Sequence, residues 1–316
     1  MPITGSLGRG PTPRSASGIA LVLVLWVLAL LTVIASNLVY SSRTDLTIAG
    51  NASTVAGAEA LADAGLHRAF FDLLRPQNDP RTWKGDGVAH PWEFQGHLIE
   101  VTISDEAAKI DINSASDALL KGLFVSQGVA DEDAAALIDS MADWRDPDDL
   151  RRLHGAERDD YVAAGRAYVP ANQPFSAIEE LKQVLGMSEA LYRRVESQIT
   201  IYSAQSGIQS AIASRAVLLA LPGATPEMVD AYLAQRQAAL QQNQMAPPFP
   251  LGLAFAANPT NSVFSIRVRV KLINGASYFR EAVVRMTRDP KHPFDVLAWR
   301  TPTHESSELE LNPDGQ

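Results

Sequence analysis

A dense run of acidic residues near the middle of the chain is the strongest candidate for chemistry. The run comprises Asp143, Asp146, Asp148, Asp149, Glu157, Asp159 and Asp160. Carboxylates that lie this close together repel one another unless a cation or basic side chains screen them. Ca²⁺ takes about six to eight oxygen ligands, mostly carboxylates and carbonyls on a loop. The run therefore predicts either a calcium-binding loop or, with its interspersed arginines, a solvated ion-paired surface.

The spacing of these acids matches an EF-hand only in part. If Asp146 takes loop position 1, Asp148 takes position 3 and Glu157 takes position 12, as that motif requires. Position 5, however, is Leu150, and position 6, where the EF-hand needs glycine, is Arg151. The sequence therefore excludes an EF-hand and leaves a calcium loop of another kind open.

Other catalytic motifs are absent from the sequence. The chain has no cysteine, which excludes disulfides, thiolate metal sites and cysteine nucleophiles. Its histidines are scattered without an HExxH pattern, and neither a Gly-rich phosphate loop ending in Lys-Ser or Lys-Thr nor a G-x-S-x-G elbow occurs. The sequence predicts that the protein is not an enzyme. An envelope hydrolase that uses the acidic run is the open alternative.

The charge of the chain argues against a nucleic-acid binder. Asp and Glu number 36 against 27 Lys and Arg, a formal net charge of −9, whereas a protein that follows a phosphate backbone needs a basic surface. Three stretches nonetheless resemble helix-hairpin-helix units with turns at Gly128, Gly186 and Gly223, and such turns can bind phosphate. We expect structural helix pairs and no nucleic acid, with a membrane-anchored binder of the competence type as the alternative.

One hydrophobic segment near the N-terminus predicts a membrane anchor. Residues 19–35 contain a single polar side chain, Thr32, and no charge occurs between Arg14 and Arg43. About 20 apolar residues span a bilayer, so a helix over 19–40 fits. The residues before it carry two arginines and no acid; the positive-inside rule therefore keeps them in the cytoplasm and sends the rest of the chain outward. A cleaved secretory signal peptide is the alternative.

Beyond the anchor, the hydrophobic pattern predicts an α+β protein. Apolar residues at helical spacing continue to Leu73, and alternating β-branched residues predict strands at residues 97–104, 109–112, 263–273, 278–286 and 295–300. The dipeptide Asn274-Gly275 favours a type I′ turn between two of these strands. Helices are predicted between the two groups of strands, the first beginning at Ile112 and another covering residues 176–184.

These elements predict six consecutive parts of the chain. They are a leader (1–18), a transmembrane helix (19–40), a small α/β domain in two pieces (41–112 and 261–300), a helical domain inserted between the pieces (113–260), and a polar tail (301–316). The inserted domain consists of helix-hairpin-helix or SAM-like units.

Several motifs in this order resemble the minor pseudopilin K family of type II secretion, also called general secretion pathway protein K. Gly18, followed directly by a long apolar helix, is similar to the leader of type IV pilins and pseudopilins. Leu23 stands at the fifth position after that glycine, where most pseudopilins carry Glu and the K class does not. Further motifs similar to this family are residues 110–115 (IDINSA), 143–148 (DWRDPD), 155–157 (GAE), 171–175 (ANQPF) and 262–264 (SVF), together with Trp299.

The resemblance implies a fold, a place and partners. The fold is a pilin-like long N-terminal helix with a small antiparallel sheet and a large, mainly helical insertion. Prepilin peptidase would cleave between Gly18 and Ile19 and leave a single-pass inner-membrane protein with its bulk in the periplasm. Implied partners are the I and J pseudopilins, with H as a further candidate, and the inner-membrane secretion platform.

The resemblance also implies a function and an ion. The function is that of a subunit at the tip of a periplasmic pseudopilus, contributing to export of folded proteins across the outer membrane. An unpaired charge in a bilayer is costly, so a subunit with no neighbour above it needs no acid at position 23. The family's association with calcium is assigned to Asp143, Asp146, Asp148 and Glu157.

Overall fold

The computed structural model describes residues 17–76, 79, 81–242, 244–257, 262–272 and 275–300. Its α-helices are α1 (Ser17–Leu74), α2 (Asp117–Ser126), α3 (Asp131–Arg145), α4 (Arg158–Ala163), α5 (Glu189–Val195), α6 (Arg215–Leu219) and α7 (Pro226–Gln241). Its strands are β1 (Asp86–Phe94), β2 (His97–Asp105), β3 (Ile110–Asp111), β4 (Ile199–Thr200), β5 (Val263–Lys271), β6 (Ser277–Asp289) and β7 (His292–Arg300). The predicted tail and all but the end of the predicted leader lie outside the described residues, as does Asn274 of the predicted turn.

The chain divides into two compact units, Met1–Gly57 and Ala58–Gln316. The described part of the first unit is helical throughout, and its side chains from Leu21 onward are exposed. It contains a stretch long and apolar enough to cross a membrane. Its one polar interruption is satisfied locally, because the Thr32 hydroxyl donates to the Leu28 carbonyl at 2.8 Å. An uncovered apolar surface of this length fits the predicted membrane anchor.

The second unit contains a five-stranded antiparallel sheet in the order β1-β2-β5-β6-β7. Strands β2 and β5 are neighbours in the sheet although residues 106–262 separate them in sequence. Helices α2 to α7 therefore lie, in sequence, between two strands that are neighbours in the sheet. The α+β fold class predicted from the sequence, with its long first helix and small antiparallel sheet, is confirmed.

One face of the sheet packs against the C-terminal part of α1. The facing side chains are apolar and buried: Leu61, Leu66, Phe70, Ile99, Val101, Ile103, Ile266, Val268 and Val270. A Cβ at Gly65 would lie 2.7 Å from a methyl group of Val268, so this glycine permits the helix to approach the sheet closely. Alternation of apolar residues along each strand places one buried row against the helix.

A second, separate core holds the helical region together. It includes Leu119, Leu123, Phe124, Met141, Tyr161, Val195, Leu218 and Phe249, all of them buried. Strand β3 pairs in parallel with β4 in a two-stranded sheet within this region, with Ile110 opposite Ile199. The short strand predicted at residues 109–112 is thus present, but it is not part of the main sheet.

The segment after β3 is a turn and not the helix start predicted at Ile112. The Asp111 carboxylate accepts from the backbone N–H groups of Asn113 and Ser114 at 2.9 and 3.1 Å, which competes with helix formation. The Asn113 side chain in turn bonds both the N–H and the carbonyl of Phe175, at 2.9 and 3.0 Å. Helix α2 begins only at Asp117, after the Ser116 cap. These motif residues therefore join distant segments of the fold.

Two further sequence expectations differ from the structure. The helix predicted over residues 176–184 is a 3₁₀ segment, Ile178–Gln183. Strand β1 was not predicted; Pro91 lies inside it, and proline is usually unfavourable within a strand. Since β1 is an edge strand, its proline needs no ladder partner on the outer side.

Candidate metal centre

The acidic run occupies the end of α3, the loop after it and the start of α4. Asp143 lies in the last turn of α3, and Asp146 is the residue that follows the helix. Pro147 prevents the helix from continuing, because it cannot donate a backbone hydrogen bond. Glu157 is the N-cap residue of α4. The end of α3 and the start of α4 therefore position the two ends of the acidic loop.

Asp143 fixes the path of this loop. Its side chain is fully buried. The carboxylate accepts from the backbone N–H of Arg152, at 3.3 and 3.2 Å for its two oxygens, and from the backbone N–H of Ala156. Burial raises its pKa, and the hydrogen bonds from Arg152 and Ala156 oppose that rise. Asp143 therefore holds the loop against α3, because backbone N–H groups already occupy its carboxylate oxygens.

A second aspartate, which the sequence interpretation missed, supports the same loop. Asp139 accepts from the backbone N–H of His154 at 3.1 Å and lies 3.5 Å from the Nδ1 atom of that histidine. Asp139 precedes Asp143 by one helical turn, so the two carboxylates share a face of α3. The four-residue spacing of Asp139 and Asp143 was the feature of the sequence that could have indicated that Asp139 belongs to the site.

Asp146 and Glu157 differ from Asp143, because each has a buried carboxylate oxygen without a hydrogen-bond donor in the part of the chain described. Among the described residues, Asp146 Oδ1 and both carboxylate oxygens of Glu157 are buried and have no hydrogen-bond partner. Burial, followed by the charges of Asp143 and Asp146, raises the pKa of Glu157 to about 7. Burial, followed by repulsion from Asp148, also raises the pKa of Asp146. A buried carboxylate oxygen without a hydrogen-bond donor is energetically costly, and a bound cation would offset that cost.

The remaining acids lie at the surface, and Asp148 and Asp160 form local hydrogen bonds. The Oδ1 atom of Asp148 accepts from the Leu150 N–H at 2.8 Å and shapes the turn. Asp160 pairs with Arg151 at 3.0 Å and accepts from the backbone N–H of Glu157 at 3.0 Å. Asp159 is exposed. The ion-paired surface interpretation therefore describes Asp160, whereas Asp146 and Glu157 fit the metal interpretation.

These carboxylates do not form a complete ligand set by themselves. In the part of the chain that the structure describes, no group of three or more His, Asp or Glu side chains converges as a metal site. The donor chemistry nevertheless suits calcium, because Ca²⁺ takes oxygen ligands and these buried carboxylate oxygens have no hydrogen-bond donors among the described residues. Ligands beyond the carboxylates would be backbone carbonyls and water.

An aromatic cluster adjoins the acidic loop. Trp144 is buried, and its ring centroid lies 5.8 Å from that of Tyr161 and 6.3 Å from those of Tyr168 and Phe175. The backbone N–H of Asn172 bonds the Trp144 carbonyl at 2.9 Å, which joins the 171–175 motif to α3. Apolar rings beside the carboxylates limit the access of water to them, which strengthens their mutual repulsion.

The helices that follow the glycine turns of the helical hairpins do not begin with basic residues. Gly128, Gly186 and Gly223 all have positive φ, as tight turns of this kind require. The helix that follows each turn, however, begins with acidic residues, namely Asp131, Glu132 and Asp133 in α3, Glu189 in α5 and Glu227 in α7. Acids at these positions repel phosphate, so the hairpins do not suit a nucleic-acid backbone.

The sequence of this chain is similar to the sequences of known proteins. Residues 100–204 match the family model described as type II secretion system (T2SS), protein K. Among curated proteins, type II secretion system protein K of Pseudomonas aeruginosa is 28% identical over 243 residues, which is 69% of this chain and 73% of that protein. The K proteins of Klebsiella pneumoniae and Aeromonas hydrophila are each 29% identical, over 56% and 58% of this chain. The matches span 60% and 63% of those two proteins.

A solved structure shares the fold. One chain of the crystal structure of the GspK-GspI-GspJ complex from enterotoxigenic Escherichia coli matches with a TM-score of 0.56 and 19% identity. The match covers 83% of this chain and 99% of that chain. The family-model match includes the Asp111–Asn113 turn, the acidic loop and the aromatic cluster. The chain is therefore similar in sequence to type II secretion system protein K, and it shares its fold with a chain of the GspK-GspI-GspJ complex.

Proposed function

We propose that this protein is a minor pseudopilin that acts at the tip of the periplasmic pseudopilus and contributes to the export of folded proteins across the outer membrane. The observation that carries the proposal is the similarity to a type II secretion K protein over 243 residues. In this role the protein is a structural component and not an enzyme. Deletion of the gene is expected to abolish secretion of the system's cargo proteins, and expression from a plasmid is expected to restore it. Normal secretion in the deletion strain would count against the proposal.

The partners we propose are the I and J pseudopilins, with H as a further candidate. The crystal structure of the GspK-GspI-GspJ complex supports this, because there a K protein is assembled with I and J proteins. Prepilin peptidase and the inner-membrane secretion platform are the other proposed partners. Co-purification of I and J with the tagged full chain from detergent extracts tests the assembly. Recovery of neither subunit would contradict it.

Processing at the predicted leader would leave the anchor in the mature protein. We propose cleavage between Gly18 and Ile19, with a cytoplasmic N-terminus and a periplasmic bulk. Both residues lie in the first turn of α1. Mass spectrometry of the mature protein is expected to find Ile19 as the first residue. A first residue beyond Tyr40 would instead identify an ordinary signal peptide.

Introducing an acid at Leu23 tests the proposed tip position. Leu23 lies in the exposed apolar part of α1, and a charge there is costly unless a neighbouring subunit supplies a partner. Leu23→Glu is therefore expected to reduce secretion several-fold, and Leu23→Ile is the matched apolar control. Normal assembly and secretion by Leu23→Glu would mean that the absent acid does not define the tip position.

Calcium is the ion that we propose for the acidic loop. Asp146 and Glu157 would bind it directly, since their buried oxygens lack donors among the described residues. Asp148 is accessible as a further ligand. Asp143, the fourth residue of the predicted ligand set, would hold the loop in place through Arg152 and Ala156. The bound cation would offset the repulsion among these carboxylates.

Calcium addition is expected to raise the melting temperature of the full chain in detergent. A ligand that binds only the folded state contributes about 2.7 kcal/mol at a free concentration 100 times its Kd. Glu157→Gln is expected to abolish most of this increase, whereas the exposed Asp159→Asn retains it. Terbium luminescence, sensitised by Trp144 and Tyr161 beside the loop, provides a second readout. An unchanged calcium response in Glu157→Gln would remove this residue from the ligand set.

A further inference from the structure

A short segment, residues 171–175, contacts the first half of the acidic loop from outside that loop. The first half, residues 146–149, follows α3 and carries two of the four predicted ligands. The Nδ2 group of Asn172 donates to the Asp148 carbonyl oxygen and to Oδ1 of Asp149, at 3.4 Å in each case. Asn172 therefore holds a carbonyl and a carboxylate in the part of the loop that carries these predicted ligands.

Asn172 has an unusual backbone conformation. Its φ angle is 49°, in the left-handed region that residues other than glycine seldom adopt and that asparagine tolerates better than most. In this conformation the backbone N–H of Asn172 donates to the Trp144 carbonyl at 2.9 Å, while the side chain reaches the loop. Less favourable backbone conformations persist where the surrounding contacts hold them, and they concentrate at functional sites. Asn172 thus links the end of α3 to the loop that follows it.

The second half of the acidic loop, which ends at Glu157, has a different support. Asp139 and Asp143 of α3 accept hydrogen bonds from backbone N–H groups there. Asn172 supplies the corresponding hydrogen bonds to the first half. Outer hydrogen bonds of this kind orient the ligands of a metal site, and their loss typically weakens metal binding by about 10- to 100-fold. A cation bound by Asp146 and Glu157 would therefore depend on both supports.

The other end of this segment is held by the turn after β3. The Phe175 N–H donates to Oδ1 of Asn113 at 2.9 Å, and Asn113 Nδ2 donates to the Phe175 carbonyl at 3.0 Å. The Phe175 ring is buried and nearly parallel to that of Trp144, with 8° between the two planes. The turn itself is fixed by the buried Asp111, which also accepts from the backbone N–H of Ala204 at 2.8 Å. The segment therefore joins the acidic loop to the two-stranded sheet of the helical region.

We propose that Asn172 is a positioning residue for the cation site of the acidic loop, and that the 171–175 segment couples this site to the turn after β3. The inference rests on the calcium binding proposed above. Asn172 holds the first half of the loop where its carboxylates can meet Glu157, and a bound cation in turn restrains Asn172 and Phe175. Coupling between two sites is reciprocal, so a change in the turn after β3 is expected to alter the affinity of the loop for a cation.

Terbium titration of the full chain in detergent tests the role of Asn172. Asn172→Ala removes the side-chain amide and disfavours positive φ, so we expect the dissociation constant for terbium to rise by about tenfold. Asn172→Gly is expected to give a smaller increase, because glycine adopts positive φ freely but also lacks the amide. Asn172→Asp keeps the shape of the side chain but cannot donate to Asp148 and repels Asp149, so it too should bind terbium more weakly. Gln173→Ala changes the exposed neighbour and is the matched control, with parental affinity expected.

Hydrogen exchange measured by mass spectrometry tests the coupling. In the parent, calcium is expected to slow exchange of the backbone N–H groups of Asn172 and Phe175. Asn113→Ala removes both hydrogen bonds to Phe175 and should weaken terbium binding several-fold, although Asn113 has no hydrogen bond to the acidic loop among the described residues. Without metal, Asn172→Ala is expected to exchange faster only in residues 146–149 and 171–175. Faster exchange throughout the helical region would instead identify a general structural role and overturn the assignment as a positioning residue.

The remaining outcomes separate this inference from the calcium proposal. If the parent binds neither terbium nor calcium, the calcium proposal fails and the inference fails with it. If the parent binds terbium and Asn172→Ala binds it equally well, only the inference is overturned. Terbium binding by Asn172→Asp at least as tight as by the parent would make this side chain an oxygen ligand and not a positioning group. Unchanged exchange of Phe175 on calcium addition would overturn the coupling.

Discussion

Replacing Gly155 with alanine is expected to destabilise the protein by about 3 kcal/mol and to weaken calcium binding. A Cβ built at this position would lie 1.9 Å from Oδ2 of Asp143 and 2.7 Å from its Cγ. Asp143 cannot move aside freely, because it is fully buried and holds the backbone N–H groups of Arg152 and Ala156. The methyl group would displace the carboxylate and leave these donors without an acceptor.

Chemical denaturation of the full chain in detergent, with and without calcium, measures both effects. Gly57→Ala is the matched control, since no atom lies within 4 Å of the Cβ position there. That control is expected to be neutral or slightly stabilising, because Gly in a helix costs about 0.5–1 kcal/mol relative to Ala. A Gly155→Ala variant with the parental midpoint and calcium response would show that Asp143 does not position the loop.

Replacing Gly122 with alanine is expected to have an effect at least as large, also about 3 kcal/mol. Its Cβ would lie 1.9 Å from the carbonyl oxygen of Ala220 and 3.0 Å from the carbonyl carbon. The obstacle is backbone at the end of α6, so no side-chain rotation can relieve the contact. Either α2 or α6 must shift, which would open the core around Leu119, Leu123 and Leu218.

The same denaturation experiment distinguishes this effect from a general response to alanine. Gly50→Ala is a suitable helical control with open space around its Cβ position. We expect loss of stability in Gly122→Ala without the selective loss of calcium response predicted for Gly155→Ala. If Gly122→Ala matched the control, the close approach of the two helical hairpins would not be required for folding.

The sequence predicted those features that depend on local pattern. The apolar run after Gly18, the alternation at residues 97–104 and the β-branched residues before and after Asn274 each determine a type of element with little help from the rest of the chain. The absence of cysteine and the acidic charge likewise excluded whole classes of function. Strand β1 was missed; it contains Pro91, and its position at the sheet edge makes a proline acceptable there.

The calcium site stays a prediction, and the structure adds what each of its carboxylates contacts. By residue type alone Asp143, Asp146, Asp148 and Glu157 were equivalent ligand candidates. Folding separates them: backbone N–H groups engage Asp143, the Leu150 N–H occupies an oxygen of Asp148, and buried oxygens of Asp146 and Glu157 remain without donors among the described residues. Asp139 joined the site only through its hydrogen bond to His154, fifteen residues away in sequence.

The sequence by itself therefore determined the anchor after Gly18, the α+β class and the presence of an acidic loop, because hydrophobic period and charge are local properties. Only the tertiary structure decided which carboxylates are free to bind a cation and which hold the backbone. It also decided that Gly122 and Gly155 lie where no side chain fits. Burial and hydrogen-bond satisfaction depend on segments that lie far apart in the chain, and no local pattern records them.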